Sequence, residues 1–379
     1  MAKDTDMKKR TVTIYIATFA LLICLPHFVF MICRGFVDNT NYENRPLYEA
    51  PVPGQTPYKE FASSFESFYN DRIPFRNQLI ALNNKIAYFV FGDTTGDRVM
   101  IGKDEWLFIE DPMQGNAKTN YLGTDILKDD EMKVIADNLV ENQRIIENAG
   151  MEFVIFLSPN KNRVYSEYMP DYMGEPAEQY QLKALIEYLR ENTDLKIVYD
   201  YDDIMEAKKY ADSEGINVYH KADSHWNNVG AYEGARTLAK ALGEELPSID
   251  TLTITPKDNE IADLAGMLHM TDYFLNREND FEITGYNTNN AEEIAFDISD
   301  VIEYKSDAPD DRTIFVVRDS FGEAMAPYFA SCFGRVYMKH QNYYNVDTLK
   351  QVDPDVVVLE SAERGALYAL ESFNVLKDY

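Results

Sequence analysis

The stretch "TIFVVRDSFG" (Thr313–Gly322) decides the class of fold. Its first five residues, Thr313–Val317, form a short apolar run with no polar alternation, which reads as a strand buried on both faces. Arg318-Asp319-Ser320 then turns the chain into a helix predicted over Gly322–Ala330. The same form recurs along the chain. "EFVIFL" (Glu152–Leu157), "KIVY" (Lys196–Tyr199), "RVYM" (Arg335–Met338) and "DVVVL" (Asp355–Leu359) read as further strands, with helices predicted over 176–192 and 227–242. Strands of this kind alternating with helices predict an α/β fold with a mainly parallel sheet covered on both sides. Ligands in such folds bind beyond the carboxyl ends of the strands. Residues 243–311 break the rhythm: they are acidic, rich in Asn and Thr, and read as an insertion between two core elements, a lid or a small β subdomain.

Upstream, "VTIYIATFALLICLPHFVFMIC" (Val12–Cys33) is 22 residues without an Asp, Glu, Lys or Arg. About 20 such residues span a bilayer core. Lys8-Lys9-Arg10 precedes it and acidic sequence follows, so the positive-inside rule puts the N-terminus in the cytoplasm and the body outside. A signal peptide is the competing reading, but its core is ~7–15 residues and ends at a small-x-small cleavage site, which this run lacks. The expected organisation is a tail and transmembrane anchor over 1–34, a linker over 35–60 and an extracytoplasmic domain over 61–379. That domain is expected to open with a helical arm, Phe61–Tyr69 and a second helix from Pro74 to about Phe91, and a hairpin over Val99–Ile109. A long amphipathic helix from Asp129 to Gly150 follows. Cys24 and Cys33 fall in the anchor and leave Cys332 alone, so the body forms no internal disulfide.

The net charge is −28; the first ten residues carry +2 and Arg34 +1, leaving −31 for the rest. Bulk charge of that sign repels nucleic acid and anionic lipid, and disfavours a densely anionic substrate.

Two motifs carry chemistry. A serine at a strand-to-helix turn stands at the carboxyl edge of the sheet, where helix N–H groups can stabilise an oxyanion. Ser320 sits there, though Asp and Ser are also the favoured helix N-caps. "KADSHWNNVGAY" (Lys221–Tyr232) offers a base. If it runs extended, Asp223 and His225 project to one side, so the carboxylate fixes one ring nitrogen and leaves the other for a serine proton. Trp226 would wall the site, and a helix starting near Asn227 would hold the loop. His225 also reads as a satisfied polar residue, and His220, Asp223 and His225 form H-x-x-D-x-H, a pattern open to a divalent metal but without a recognisable fourth ligand. Asn160 and Lys161, after the strand Glu152–Leu157, are expected at the same sheet edge, as donors to an oxyanion or substrate hydroxyl or as caps of the next helix. Glu360 and Arg364 lie past the last strand, where an i,i+4 ion pair is the plain reading.

Seven landmarks in order resemble one family: "ENRPL" (Glu43–Leu47), "DRIPFRNQLI" (Asp71–Ile80), "IGKDEWLF" (Ile101–Phe108), "SPNKNRVYSEYMP" (Ser158–Pro170), "DSHWNNVGA" (Asp223–Ala231), "RDSFG" (Arg318–Gly322) and "PDVVVLESAER" (Pro354–Arg364). Together they resemble the membrane-anchored, SGNH-hydrolase-like proteins of bacterial polysaccharide O-acetylation, including the alginate acetylation proteins and the Gram-positive DHHW proteins. The resemblance implies a three-layer α/β/α sandwich and a Ser-His-Asp triad, here Ser320, His225 and Asp223, with no cofactor. It implies a glycan acceptor and a multipass membrane O-acyltransferase as acyl donor. Ser224 departs from the second His of DHHW and is expected to point away from the site. Arg318 stands where a glycine often precedes the Asp-Ser pair, which bears on the oxyanion donors. The expected activity is a serine O-acetyltransferase or acetylesterase; the alternative from another class is a non-catalytic glycan-binding or scaffold subunit of an export complex, and metal-dependent hydrolysis is a third.

Overall fold

Successive residues of the strand Thr313–Arg318 enter two different cores: Ile314 and Val316 pack on one side of the sheet, Phe315 and Val317 on the other. Glu152–Ser158 and Val356–Ala362 divide their side chains in the same way. A strand flanked by two apolar layers cannot alternate polar and apolar, which is why these runs are continuous.

The computed structural model describes residues 2–37, 46–94 and 96–375. Part of the predicted linker and most of "ENRPL" lie outside the described residues. The chain divides into two compact units, Met1–Thr95 with Gly266–Met270, and Gly96–Ala265 with Thr271–Tyr379.

In the first unit, α1 (Ala2–Cys33) includes most of a 27-residue segment, Arg10–Phe36, long and apolar enough to cross a membrane. Helices α2 (Tyr58–Asn70) and α3 (Arg76–Ile86) follow, the latter continued by a wider turn over Ala87–Phe91.

The second unit opens with the hairpin of β1 (Val99–Ile101) and β2 (Leu107–Ile109), paired Val99 to Ile109. Then come α4 (Asp129–Asn148), β3 (Glu152–Ser158), α5 (Gln181–Asn192), β4 (Lys196–Tyr199), α6 (Tyr201–Ser213) and α7 (Asn228–Ala241). The short pair β5 (Thr253–Asp258) and β6 (Asn279–Thr284) precedes β7 (Glu292–Phe296) and β8 (Val301–Lys305). The unit closes with β9 (Thr313–Arg318), α8 (Phe321–Ala330), β10 (Arg335–His340), β11 (Val356–Ala362) and α9 (Glu363–Ser372).

Among the described residues, seven strands form the main sheet in the order β4-β3-β11-β9-β10-β8-β7. The first five run parallel; β8 adds antiparallel to β10, and β7 antiparallel to β8. Apolar faces of α6, α7 and α8 cover one side, and those of α4, α5 and α9 the other. The fold is therefore an α/β three-layer sandwich. Two features differ from the sequence expectation. Helix α6 follows β4 directly, where no helix was foreseen. The second half of the 243–311 segment joins the main sheet as its antiparallel edge; only the first half, with β5 and β6, stands apart from it.

Candidate active site

β9 ends at the carboxyl edge of the sheet and α8 begins three residues later, so the turn between them is a fixed corner. Asp319 serves that corner structurally. Its Oδ1 accepts from the Phe321 N–H at 2.8 Å, and its Oδ2 from Ala362 N–H at 2.8 Å and Ser361 Oγ at 3.1 Å. Ser320 stands at the N-cap position but makes no capping bond with its side chain. The capping task of the Asp-Ser pair falls to the aspartate, and the serine hydroxyl turns elsewhere.

It turns to His225. Ser320 Oγ lies 2.7 Å from His225 Nε2, and His225 Nδ1 lies 2.6 Å from Asp223 Oδ1. With Nδ1 donating to the carboxylate, Nε2 is left as the acceptor of the hydroxyl proton. Asp223 and His225 meet through a turn rather than an extended run. Asp223 Oδ1 also accepts the His225 backbone N–H at 2.9 Å, and His220 N–H closes onto His225 O at 3.2 Å. Burial would raise the Asp223 carboxyl, but the His225 ring, His220 and the Asp263 N–H outweigh it and hold it well below the usual carboxylate range. Burial would lower the His225 ring; Asp223 and Asp263 outweigh it, so its ionisation moves above the ordinary histidine value.

The loop carrying this pair is held on three sides. Lys161, expected as a donor to substrate, instead spends its ammonium on three loop carbonyls: His220 at 3.0 Å, Lys221 at 3.1 Å and Asp223 at 2.6 Å. Burial pushes that ammonium down to about 8, against the pull of Glu278, Asp223 and Asp263. From the poorly patterned segment, Glu278 accepts the N–H groups of Lys221 and Ala222 at 2.6 and 3.0 Å. Asp263 accepts Ser224 N–H at 2.7 Å and Ser224 Oγ at 2.6 Å. Ser224, expected to point away, is thus the tie to Asp263, with its Oγ 3.5 Å from His225 Nδ1.

The other candidates fall into place by their contacts. Trp226, expected to wall the site, is buried in the core; its Nε1 donates to Phe321 O at 3.0 Å and its ring packs on Phe321 at 4.9 Å. Asn227 caps α7, accepting from Val229 and Gly230 N–H at 2.9 and 3.2 Å and donating to Asn217 O at 2.7 Å, so its buried amide serves the helix start and the loop before it. Arg318 is fully buried and bonds Glu323 at 2.9 Å and Ile298 O at 2.8 Å, which removes it from the oxyanion donors. Glu360 is not paired with Arg364. Its Oε2 accepts from Asp319 N–H at 3.1 Å, and burial with the Asp319 charge drives its carboxyl well above the usual range. Arg364 instead donates to Ser224 O at 3.2 Å and lies over the Phe321 ring. Asn160 Oδ1 accepts from Arg364 N–H at 3.1 Å, and its backbone N–H donates to Glu363 at 3.1 Å, so it ties the start of α9 to the end of β3.

Ser320 and Arg364 line a cavity of about 500 Å³ with Gly115, Asn116, His340 and Tyr368. His340 ends β10, so the sheet-edge rule could have found it; the loop of Gly115 and Asn116, and the ties from Asp263 and Glu278, carry no local signature. Among the described residues, Asp223, His225 and Asp263 have donor atoms within 4.8 Å of one another, close enough to share a cation. His220 is outside that group; its Nδ1 lies 4.0 Å from Glu278. The His225 Nδ1 is directed at Asp223 and the Asp263 oxygens at Ser224, so the cluster's contacts are already internal.

Residues 99–295, just over half of the chain, match the family described as the SGNH hydrolase-like domain of acetyltransferase AlgX. A probable alginate O-acetylase, AlgJ, of Pseudomonas syringae pv. tomato is 24% identical over 193 residues, 50% of this chain and 44% of that protein. The chain therefore spans less than half the length of that relative. A DHHW family protein from Eubacterium siraeum has a similar fold, with a TM-score of 0.51 at 14% identity over 73% of this chain and 100% of that one. Bacillus cereus PatB1, solved with a sulfonyl adduct, gives a TM-score of 0.50 at 16% identity over 70% and 96% of the two chains. At such identities the solved structures speak for the fold alone.

Proposed function

The chain belongs to the SGNH hydrolase-like acetyltransferase family, and on that footing we propose that it is a membrane-anchored O-acetyltransferase acting on a cell-surface or secreted polysaccharide. Ser320 is the nucleophile, His225 the base and Asp223 the residue that orients it. The observation that carries this reading is the His225 ring standing between Ser320 Oγ at 2.7 Å and Asp223 Oδ1 at 2.6 Å, with Ser320 on an open cavity.

In the first half-reaction the Ser320 hydroxyl gives its proton to His225 Nε2 as Oγ attacks the acyl carbon; the donor's leaving group departs with that proton. In the second, a glycan hydroxyl gives its proton to His225 and attacks the acetyl-serine, and Ser320 Oγ recovers a proton as the ester leaves. Water in place of the glycan hydroxyl gives hydrolysis, so the acceptor's occupancy of the cavity decides the product. The proposed acyl source is a multipass membrane O-acyltransferase, reached because α1 anchors the chain in the same bilayer with its N-terminus in the cytoplasm.

The test uses the full-length chain in detergent micelles, an activated aryl acetate as donor and an oligosaccharide panel as acceptors. Release of the aryl alcohol and formation of acetylated oligosaccharide are both expected from the parent and from neither Ser320→Ala nor His225→Ala. If both variants match the parent, the assignment of the site is wrong.

A further inference from the structure

The helix α3 belongs to a segment that the chemistry leaves unused, and its outer face is unlike that of a water-facing helix. Leu79, Leu82, Ile86, Val90 and Phe91 are 54%, 56%, 46%, 67% and 74% exposed. In helical spacing Leu79, Leu82, Ile86 and Val90 fall on one stripe, while Asn84 and Ala87 are buried on another face. Within this unit Asn84 Nδ2 donates to Leu268 O at 2.8 Å, which fixes which way the helix is turned. A contiguous apolar stripe of this size facing water marks an interaction surface.

The neighbouring helix in the same unit says what covers it. Phe75, immediately before α3, packs edge-on against Phe30 of α1 with ring centroids 5.4 Å apart. His27 Nε2 of α1 is 2.6 Å from the Tyr69 hydroxyl at the end of α2. The His27 contact closes the middle third of the apolar segment Arg10–Phe36 and the Phe30 contact lies in its last third, so α3 starts beside the final third of that segment. The adjoining residues Asn77, Gln78, Asn83 and Lys85 are polar, the composition of a helix that lies in a membrane interface rather than across it.

We propose that α3 and its continuation to Phe91 form an interfacial helix, with the stripe Leu79–Leu82–Ile86–Val90 inserted into the outer leaflet beside the anchor. The inference rests on the reading of α1 as a membrane span. It gives the chain a second membrane contact that holds the stem against the bilayer instead of letting it swing from one helix.

The test places a single environment-sensitive fluorophore on the full-length chain in phosphatidylcholine–phosphatidylglycerol vesicles, in a background with Cys24, Cys33 and Cys332 replaced. Labelling Leu82→Cys probes the stripe, Lys85→Cys the polar flank of the helix and Leu22→Cys the anchor. At Leu82 the expected result is blue-shifted emission, with about half of it quenched by lipids carrying a shallow doxyl group, as for a helix ~5–10 Å deep in the interface. At Lys85, exposed and off the stripe, the label should instead be quenched by iodide. If Leu22 is quenched by doxyl lipid but Leu82 is as open to iodide as Lys85, the interfacial helix is overturned and the anchor stands. A Leu82 label shielded from both quenchers marks a protein-covered face, a second copy of the chain, and overturns it equally. Loss of doxyl quenching at Leu22 marks failure of the anchor itself, and the interfacial helix falls with it.

Discussion

The backbone N–H of Asp263 donates to Asp223 Oδ2 at 2.6 Å, so the carboxylate that orients His225 is itself held by a residue from the segment between α7 and β9. The Asp263 carboxylate also raises the ionisation of the His225 ring. His225 must be neutral to take the Ser320 proton, and its raised value keeps it charged to a higher pH. The acid limb of kcat/KM should therefore lie above the ordinary histidine value of ~6.5. Asp263→Asn removes a negative neighbour and should move that limb to lower pH by up to about one unit. A pH–rate profile checks it; a limb that stays put or moves up removes Asp263 from the network.

Loss of the reacting groups should be severe and non-additive. Ser320→Ala and His225→Ala should each lower kcat for acetyl release by ~10⁴-fold or more, and the double variant should be no worse than either alone. Asp223→Asn should cost a similar ~10⁴-fold through the wrong ring tautomer. Single-turnover kinetics on the three variants checks this.

Lys161 should part activity from stability. Above about 8 its amine is neutral in the folded chain and keeps too few N–H groups for three carbonyls, so activity should fall on the alkaline side. Stability runs the other way. Between about 8 and the ordinary lysine value of ~10.4 the unfolded chain binds the proton that the folded chain has lost, so the group's contribution rises with pH. Lys161→Met leaves the carbonyls unmet and should cost about 3 kcal/mol near neutrality. Denaturant titrations of parent and variant across pH should show a gap that widens above about 8.

Gly234 in α7 leaves room for Trp226. A Cβ there would stand 2.6 and 2.8 Å from two carbons of the indole ring. Gly234→Ala gains about 1 kcal/mol of helix propensity but overpacks a buried ring, at ~1–3 kcal/mol. The expected net result is a lower Tm, and a lower kcat because Trp226 holds Phe321 O beside the nucleophile. Calorimetry with matched kinetics checks it.

The proposed anchor has a direct measurement. Protease outside intact cells should degrade the body, while an epitope at the N-terminus stays protected and the starting methionine is recovered in an uncleaved chain. A mature protein beginning after Gly35 excludes the anchor.

What could be read from sequence followed how local the cause was. The strands were legible because burial on two faces writes a continuous apolar run. Helix α6 was not: its buried residues Ile204, Ala207, Lys208 and Ala211 include two alanines and a lysine, a weak stripe under acidic neighbours. Strand β7 lies at the edge, where "EEIAF" keeps exposed acids and resembles loop, and β8 beside it is a five-residue run whose centre is the charged Glu303. For the site, the Asp-x-His spacing and the strand-end serine are short-range and visible. The duties of Lys161, Asp263 and Glu278 are contacts made across about 40 to 60 residues, and nothing beside them in the chain announces them. Trp226 and Arg318 misled for the same reason, since only the packing of α7 and α8 shows that both are enclosed.

The ties from Asp263 and Glu278 also set an order of assembly during synthesis. The loop with Asp223 and His225 leaves the ribosome first, its two acidic splints later, and Ser320 last. A chain cut short before Ser320 carries Asp223 and His225 without the hydroxyl that meets His225 Nε2. The proposed ester-forming centre is therefore incomplete in the nascent polypeptide until the final fifth of the chain closes the sheet.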